Sequence, residues 1–305
     1  MAEGKKIFVG NYKGGVGKTT SIYQIALHLA EAKKKVLLID LDPQCSLSEI
    51  CLTRIDRNLA QLEFNESLNF VYDLWEQCKE YPYLKYLIDT SSLIKQTSEQ
   101  IHFIPSNLFH TNGGLDEIAS RLRDDFEDLA VLQQFFQSTG LECQYDYILF
   151  DCPPSNNVIT QGAFLLSDYY VIPSIIQTMS VRGVVHYTKS VEKIYNIYCV
   201  EHRKAQLARL LFGPKPKFIG IFETLKKANV NNVQAIQSLR SDLESAGIQS
   251  ILSDLEEGNY FFKTVIQHYE AIARDTADGK KRSEYAELTD EILFCIEPNI
   301  FNSLL

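Results

Sequence analysis

Residues 5 to 31 constrain the fold more than any other stretch. An apolar run, "KKIFVGN", leads into "YKGGVGKTTS", and "TTSIYQIALHLAEAKKK" follows with apolar residues at 22, 25, 26, 29 and 30. That order reads as strand, glycine-rich loop, helix. A loop in that position turns its backbone N–H groups inward and ends on a helix N-terminus, so it favours a negatively charged ligand. The strict phosphate-loop pattern asks for Gly, four residues, then Gly-Lys-Ser/Thr, and Tyr12 stands where the first Gly belongs. Lys13 adds a second lysine to the loop.

The same strand-then-helix order recurs along the chain. "KVLLIDLDPQ" (35 to 44) is a continuous apolar run stopped by Pro43, as expected of a strand buried on both faces of a parallel sheet. Strands are expected at "IHFIP" (101 to 105), "YDYILFDCPP" (145 to 154), "YYVIPSI" (169 to 175) and "KFIGIF" (217 to 222). Helices are expected near 114 to 137, 158 to 167, 181 to 199, 231 to 245 and 283 to 296. This alternation predicts an α/β fold, a mostly parallel twisted sheet with helices on both faces. No Pro/Gly/Ser-rich linker divides residues 1 to 305, so a single domain is expected, with a helical elaboration and no clear strand at about 46 to 100.

Composition narrows the setting. At 305 residues, 45% hydrophobic, the chain can bury a sizeable core. Its seven cysteines include no Cys-x-x-Cys and its six histidines show no metal-ligand spacing, which points to packed free thiols in a reducing cytosol. Asp151, Asp168 and Pro173 break the apolar stretches well short of the roughly 18 residues of a spanning helix, so no membrane span is expected. The formal charge of -9 argues against general affinity for nucleic acid. One basic cluster runs against that total: Arg203, Lys204, Arg209, Lys215 and Lys217 face a single acid, as either a solvated surface or a DNA-binding patch.

Several residues carry chemistry. Gly14, Gly15 and Gly17 let the backbone approach phosphate oxygens, with Val16 between them. Lys18 neutralises β and γ phosphates, and the Thr19 hydroxyl is placed to ligate Mg²⁺, with Thr20 beside it. A charge at Lys13 begins the cradle rather than lining its floor, and could reach a phosphate bound by a facing subunit, as an arginine finger does. Asp40 and Asp42 end the second strand, where they either orient water and join the Mg²⁺ shell or form a turn with Pro43. Asp151 ends "YILFD" and reads as the Walker B carboxylate that holds Mg²⁺ directly or through water. The strand end near 222 and the segment 266 to 275 are candidate walls for the base.

With these motifs the sequence resembles the ParA/MinD family of deviant Walker A ATPases, most closely Soj-like ParA partition proteins. "KGGVGKTT" matches the family's altered loop, so Tyr12 is no defect. "VLLIDLDPQ" resembles its second motif, "YILFDCPPS" its Walker B strand, and "IHFIPSN" and "YYVIPSIIQ" its later strands. The resemblance implies a P-loop NTPase fold and hydrolysis of ATP to ADP and phosphate, with ATP and Mg²⁺ as cofactors. Residues 13 to 20 would hold the nucleotide, Thr19, Asp151 and Asp40 the metal, and Lys13, Lys18 and Asp42 would act in catalysis. In the family, ATP closes a homodimer face to face, the lysine matching Lys13 reaches the partner's nucleotide, and the aspartate matching Asp42 positions the attacking water. The dimer binds double-stranded DNA nonspecifically, and a ParB-like activator protein stimulates hydrolysis. Such cycles segregate plasmids, chromosomes or other cargo, which implies a cytoplasmic, nucleoid-associated protein.

The loop begins too near residue 1 for the helix-turn-helix domain of larger members, so autorepression is not expected. A MinD-like or cargo-positioning switch acting on a protein or membrane partner is the alternative. The ending "FCIEPNIFNSLL", with Pro298, lacks a basic amphipathic tail and weighs against the membrane form. An electron-transfer protein like the nitrogenase iron protein would need a second cysteine to accompany Cys152.

Overall fold

The computed structural model describes residues 3–81, 88–123, 125–227, 231–268 and 271–297. The first half runs β1 (Lys5–Val9), α1 (Lys18–Glu31), β2 (Val36–Asp40), α2 (Ser46–Thr53), α3 (Leu68–Glu80), α4 (Thr90–Leu93), β3 (Lys95–Gln96), β4 (His102–Ile104), α5 (Leu115–Arg121), α6 (Phe126–Leu129), α7 (Val131–Thr139) and β5 (Tyr147–Asp151). Then follow α8 (Val158–Leu166), β6 (Tyr169–Ser174), α9 (Thr178–Asn196), α10 (Ala205–Phe212), β7 (Lys217–Lys226), α11 (Val233–Ser245), α12 (Ile251–Leu255), β8 (Phe261–Gln267), α13 (Ala271–Ala277) and α14 (Ser283–Ile296).

The strands form one sheet in the order β3-β4-β2-β5-β1-β6-β7-β8. Only β3 runs antiparallel to its neighbour, so the expected mostly parallel sheet is borne out. Alternation along each strand divides the core in two. Phe8, Leu37, Ile39, Ile148 and Phe150 pack under α3 and α5 to α9 on one face. Ile7, Val9, Leu38, Tyr147 and Leu149 pack under α1, α2 and α14 on the other. Because both faces are covered, the strands read as unbroken apolar runs. The register sets Val9 and Asp40 level with Asp151, so β1, β2 and β5 deliver their following residues to one edge.

Several expectations change. The helix at 114 to 137 is three helices, because Leu122 leaves helical geometry and the Asp125 carboxylate caps a new start by accepting from the amides of Glu127 and Asp128. The helix at 181 to 199 starts earlier and widens into a π-helical turn over Ile197–Glu201. The strand at 217 to 222 continues to Lys226. The segment at 46 to 100 does contain a strand, the two-residue β3 paired to β4. α10 lies inside the basic stretch, and β8 was not anticipated. Pro298 lies outside the described residues.

Candidate nucleotide site

The loop after β1 is built from the strand outward. Asn11 is buried; its amide nitrogen donates to the Pro173 carbonyl at 2.8 Å, and its Oδ1 accepts from the Lys13 amide at 3.0 Å. This side chain ties the loop's first turn to the end of β6. Gly15 and Gly17 have φ of 68° and 78°, a region that side chains rarely adopt. A Cβ built on Gly14, Gly15 or Gly17 would meet nothing within 4 Å, so the glycines border open space. α1 starts at Lys18 with no side chain capping its first turn. Its leading N–H groups therefore face that space, as an anion site requires. On the other side, the Thr224 hydroxyl of β7 donates to the Val16 carbonyl at 2.8 Å.

Lys18 is buried and folds back on the loop, its Nζ donating to the carbonyls of Asn11 (3.3 Å) and Lys13 (3.4 Å). Burial holds its ammonium below the usual lysine range, against the pull of Asp151 and Asp42. Lys13 has an exposed side chain at the loop's mouth.

Three carboxylates share the edge, and their surroundings differ. Asp40 is buried; its Oδ2 accepts from the Ser48 hydroxyl (2.6 Å) and amide (2.8 Å), and its Oδ1 accepts from the Asp42 amide (3.0 Å). Burial still pushes its carboxyl up to about 6 against those hydrogen bonds. Asp42 is half-buried and accepts from the Gln44 amide at 2.9 Å. Asp151 is fully buried, and neither carboxylate oxygen has a hydrogen-bond partner. Burial and the neighbouring Asp40 raise it well above the carboxylate range, while the Thr19 hydroxyl and Lys18 pull the other way.

An orphaned carboxylate beside a hydroxyl, at the foot of an open glycine cradle, fits a hard divalent cation. Among the described residues, no group of three or more His, Cys, Asp or Glu side chains is arranged to hold a metal alone. That agrees with a cation held through one carboxylate, one hydroxyl and a bound polyphosphate. Cys152, next in sequence, is fully buried with its thiol against the Phe150 carbonyl.

A cavity of about 170 Å³ continues from Gly17 and Thr20 to Thr224, Ile266, His268 and Ile272. Its walls come from the two regions expected to flank a base. A larger cleft, about 860 Å³, opens at the opposite sheet edge beside Lys35, His102 and Tyr145. Its His102 and Tyr145 side chains hydrogen-bond each other at 2.8 Å, and among the described residues none of its lining groups is orphaned. It holds none of the expected site residues.

The fold thus gathers Lys13 to Thr20, Asp40, Asp42 and Asp151 on one edge. It places Arg203, Lys204, Arg209, Lys215 and Lys217 elsewhere, around α10 and the starting end of β7. Lys204 and Lys215 are paired to Glu127 (3.7 Å) and Glu192 (3.2 Å). Sequence reasoning missed Asn11, Ser48, Ser106 and Thr224, which hold the site from its rear. Only Asn11 offered a signal, as a polar residue closing an apolar run. The others act across long sequence separations.

A family model described as an AAA domain matches residues 4–208. The chromosome-partitioning ATPase Soj of Thermus thermophilus is 24% identical over 271 residues, spanning 88% of this chain and 89% of Soj. A McdA variant from Cyanothece, solved in complex with ATP, has a TM-score of 0.67 at 17% identity and covers 97% of both chains. Cobyrinic acid a,c-diamide synthase from Mycobacterium smegmatis, solved with ADP and magnesium, has a TM-score of 0.62 at 21% identity, covering 95% of this chain and 94% of the synthase. At these identities the two structures establish the fold alone.

Proposed function

The chain belongs to the AAA-domain family, as a P-loop ATPase of the ParA/MinD type, and from that premise we propose a Mg²⁺-dependent ATP hydrolase whose closure into a dimer gates binding to DNA. The observation that carries the reading is Asp151, a fully buried carboxylate with both oxygens unpartnered beneath an open phosphate cradle. Leaving such a group unpaired costs about 1–3 kcal/mol, which a bound cation would offset.

In this reading residues 13 to 20 hold the triphosphate through their amides, and Lys18 swings from the loop carbonyls onto phosphate oxygens. Thr19 and Asp151 would hold Mg²⁺, which would supply charge neutralisation at the β and γ phosphates. Asp40 has both oxygens engaged by Ser48 and the Asp42 amide, so its part is to anchor the Asp42 turn beside the metal rather than to hold it directly. Asp42 orients the attacking water, and Lys13 reaches the nucleotide of the facing copy. Arg203, Arg209 and Lys217 are exposed and carry no ion pair among the described residues, so they form the DNA-facing part of the basic patch. A ParB-like protein accelerates hydrolysis, and the cargo is a plasmid, chromosome or protein assembly on the nucleoid.

The test is retention on nonspecific duplex DNA with ATP, with ADP and without nucleotide, across a salt series. Retention should require ATP and Mg²⁺ and fall steeply with salt, because phosphate contacts release counterions. ATP-loaded protein that ignores DNA at low salt but is retained by vesicles or a protein partner would replace this reading with a MinD-like or cargo-positioning one.

A further inference from the structure

Among the described residues, one buried tyrosine hydroxyl has no hydrogen-bond partner, that of Tyr187 on α9. Other tyrosines in the core are paired. Tyr23 donates to Glu99 (3.4 Å), Tyr170 to Glu192 (3.0 Å) and Tyr260 to the Ile248 carbonyl (2.8 Å), and Tyr285 shares a hydrogen bond with Ser21 (3.2 Å). Tyr187 is 2% exposed, so bulk water does not reach it. Phenylalanine would fill the same space without the cost of an unpaired phenol, and the hydroxyl therefore calls for an explanation.

Its position supplies one. A Cβ built on Gly10 would lie 1.8 Å from the Tyr187 hydroxyl oxygen, so the phenol tip takes the space that any side chain at residue 10 would need. Gly10 is the first residue after β1 and opens the phosphate loop. Two residues on, the Tyr12 ring stands edge-on to the Tyr187 ring, with centroids 4.7 Å apart at 85°. Tyr12 replaces the first glycine of the strict loop pattern, and this contact gives its ring a use. α9 thus backs the loop's entry with an aromatic ring and an unpaired donor.

The loop also holds an acceptor that is due to lose its donor. The Asn11 carbonyl accepts from Lys18 Nζ at 3.3 Å in a buried bond. When Lys18 moves onto phosphate oxygens, that carbonyl gives up the lysine in a place where water cannot readily replace it. The Lys13 carbonyl gives up the same lysine, but its bond is only partly buried. The unpaired donor lies against Gly10, and the acceptor belongs to the next residue.

We propose that Tyr187 is a positioning residue of the nucleotide site, whose hydroxyl takes over the Asn11 carbonyl when Lys18 leaves it for phosphate. The loop then exchanges one donor for another and closes without a new buried orphan. The assignment rests on the P-loop reading above. Part of the nucleotide affinity accordingly comes from a helix that never touches nucleotide, because binding relieves the unpaired phenol.

The experiment is a double-substitution cycle read by denaturant unfolding without nucleotide. With Lys18 in place, Tyr187→Phe removes an unpaired hydroxyl and should raise the unfolding midpoint. In Lys18→Ala the Asn11 carbonyl has already lost its donor and Tyr187 pairs with it, so the same Tyr187→Phe change should lower the midpoint. Tyr260→Phe breaks a satisfied hydrogen bond at the start of β8 and should lower it equally in both backgrounds. Tyr187→Phe should also bind a fluorescent ATP analogue with Mg²⁺ about tenfold more weakly than wild type, an effect that a tyrosine serving only the core would not produce. In a protein that binds the analogue, an unchanged affinity, or a midpoint shift equal in sign and size in both backgrounds, overturns the assignment of Tyr187 alone. If wild type does not bind the analogue, the P-loop reading is overturned and the assignment with it.

Discussion

The two edges of the sheet are made from the same strands and treated in opposite ways. At the edge where β1, β2 and β5 begin, charges find partners. Lys6 reaches Glu142 (3.6 Å) and Asp168 (3.7 Å), the Lys6 amide donates to Asp168 at 2.8 Å, and the Lys35 amide donates to Asp146 at 2.7 Å. Space is tight there as well: a Cβ on Gly4 would lie 2.2 Å from the Tyr145 carbonyl oxygen. At the edge where the strands end, glycines border open space and Asp151 has no partner. The first edge is finished as a folded structure, and the second is completed by a ligand. Unsatisfied groups persist in a fold only where the rest of the structure over-determines them.

The sharpest break of this contrast is a pair of lysine substitutions. Lys18→Ala should reduce ATP turnover by roughly 1,000-fold with little change in unfolding midpoint. Lys6→Met should leave nucleotide affinity intact and cost about 1–3 kcal/mol in denaturant unfolding. Stability loss at Lys18 with turnover loss at Lys6 would reverse the assignment of the two edges.

Next in size, Asp42→Ala should slow hydrolysis by about 100-fold, retain ATP binding and accumulate dimer. Steady-state phosphate release together with equilibrium binding separates these. Asp151→Leu replaces the orphaned carboxyl with an apolar group of similar size, so the ligand-free protein should gain about 1–3 kcal/mol while Mg²⁺-dependent nucleotide binding weakens. A variant that loses stability would show that Asp151 is already satisfied.

A pH series sharpens the same point. Asp40, raised to about 6 from an ordinary value of 3.8, favours its neutral form when folded. Its contribution is therefore fully present below the unfolded value and lost as pH rises through about 6, costing ligand-free protein about 1 kcal/mol between about pH 5 and 7. Asp40→Asn should flatten that slope, whatever its absolute stability. The smallest effect belongs to the partly exposed Lys215–Glu192 pair, where Lys215→Ala should change stability by less than about 0.5 kcal/mol.

Much of this was legible in the sequence where one stretch of chain suffices. Buried parallel strands announce themselves as apolar runs, and the phosphate loop is contiguous, so the α/β fold and residues 13 to 20 could be read directly. β8 escaped because "FFKTVIQ" alternates in burial, with Lys263 exposed between Phe262 and Thr264, and so lacks the unbroken apolar run by which the other strands were read. β3 is two residues long and has meaning only beside β4. The carboxylates were recognisable by position, but their division of labour was not. Ser48, 8 residues after Asp40, occupies both hydrogen-bond sites of its Oδ2, and nothing in local sequence distinguishes that from the unpartnered Asp151. Likewise, the basic stretch reads as one cluster, yet Lys204 and Lys215 are spent on Glu127 and Glu192.

The central claim is that the edge left incomplete in one copy is finished by a nucleotide and by Lys13 of another. Mixing Lys13→Ala with Asp42→Ala, each nearly inactive alone, tests it most directly. In a mixed dimer the Lys13→Ala subunit keeps its own Asp42 and receives Lys13 from its neighbour, which restores one site. Equal mixing should recover about one quarter of wild-type ATP hydrolysis, since half the dimers are mixed and each has one working site. Hydrolysis that stays at the level of the separate variants, or Lys13→Ala alone turning over at the wild-type rate, would contradict the account.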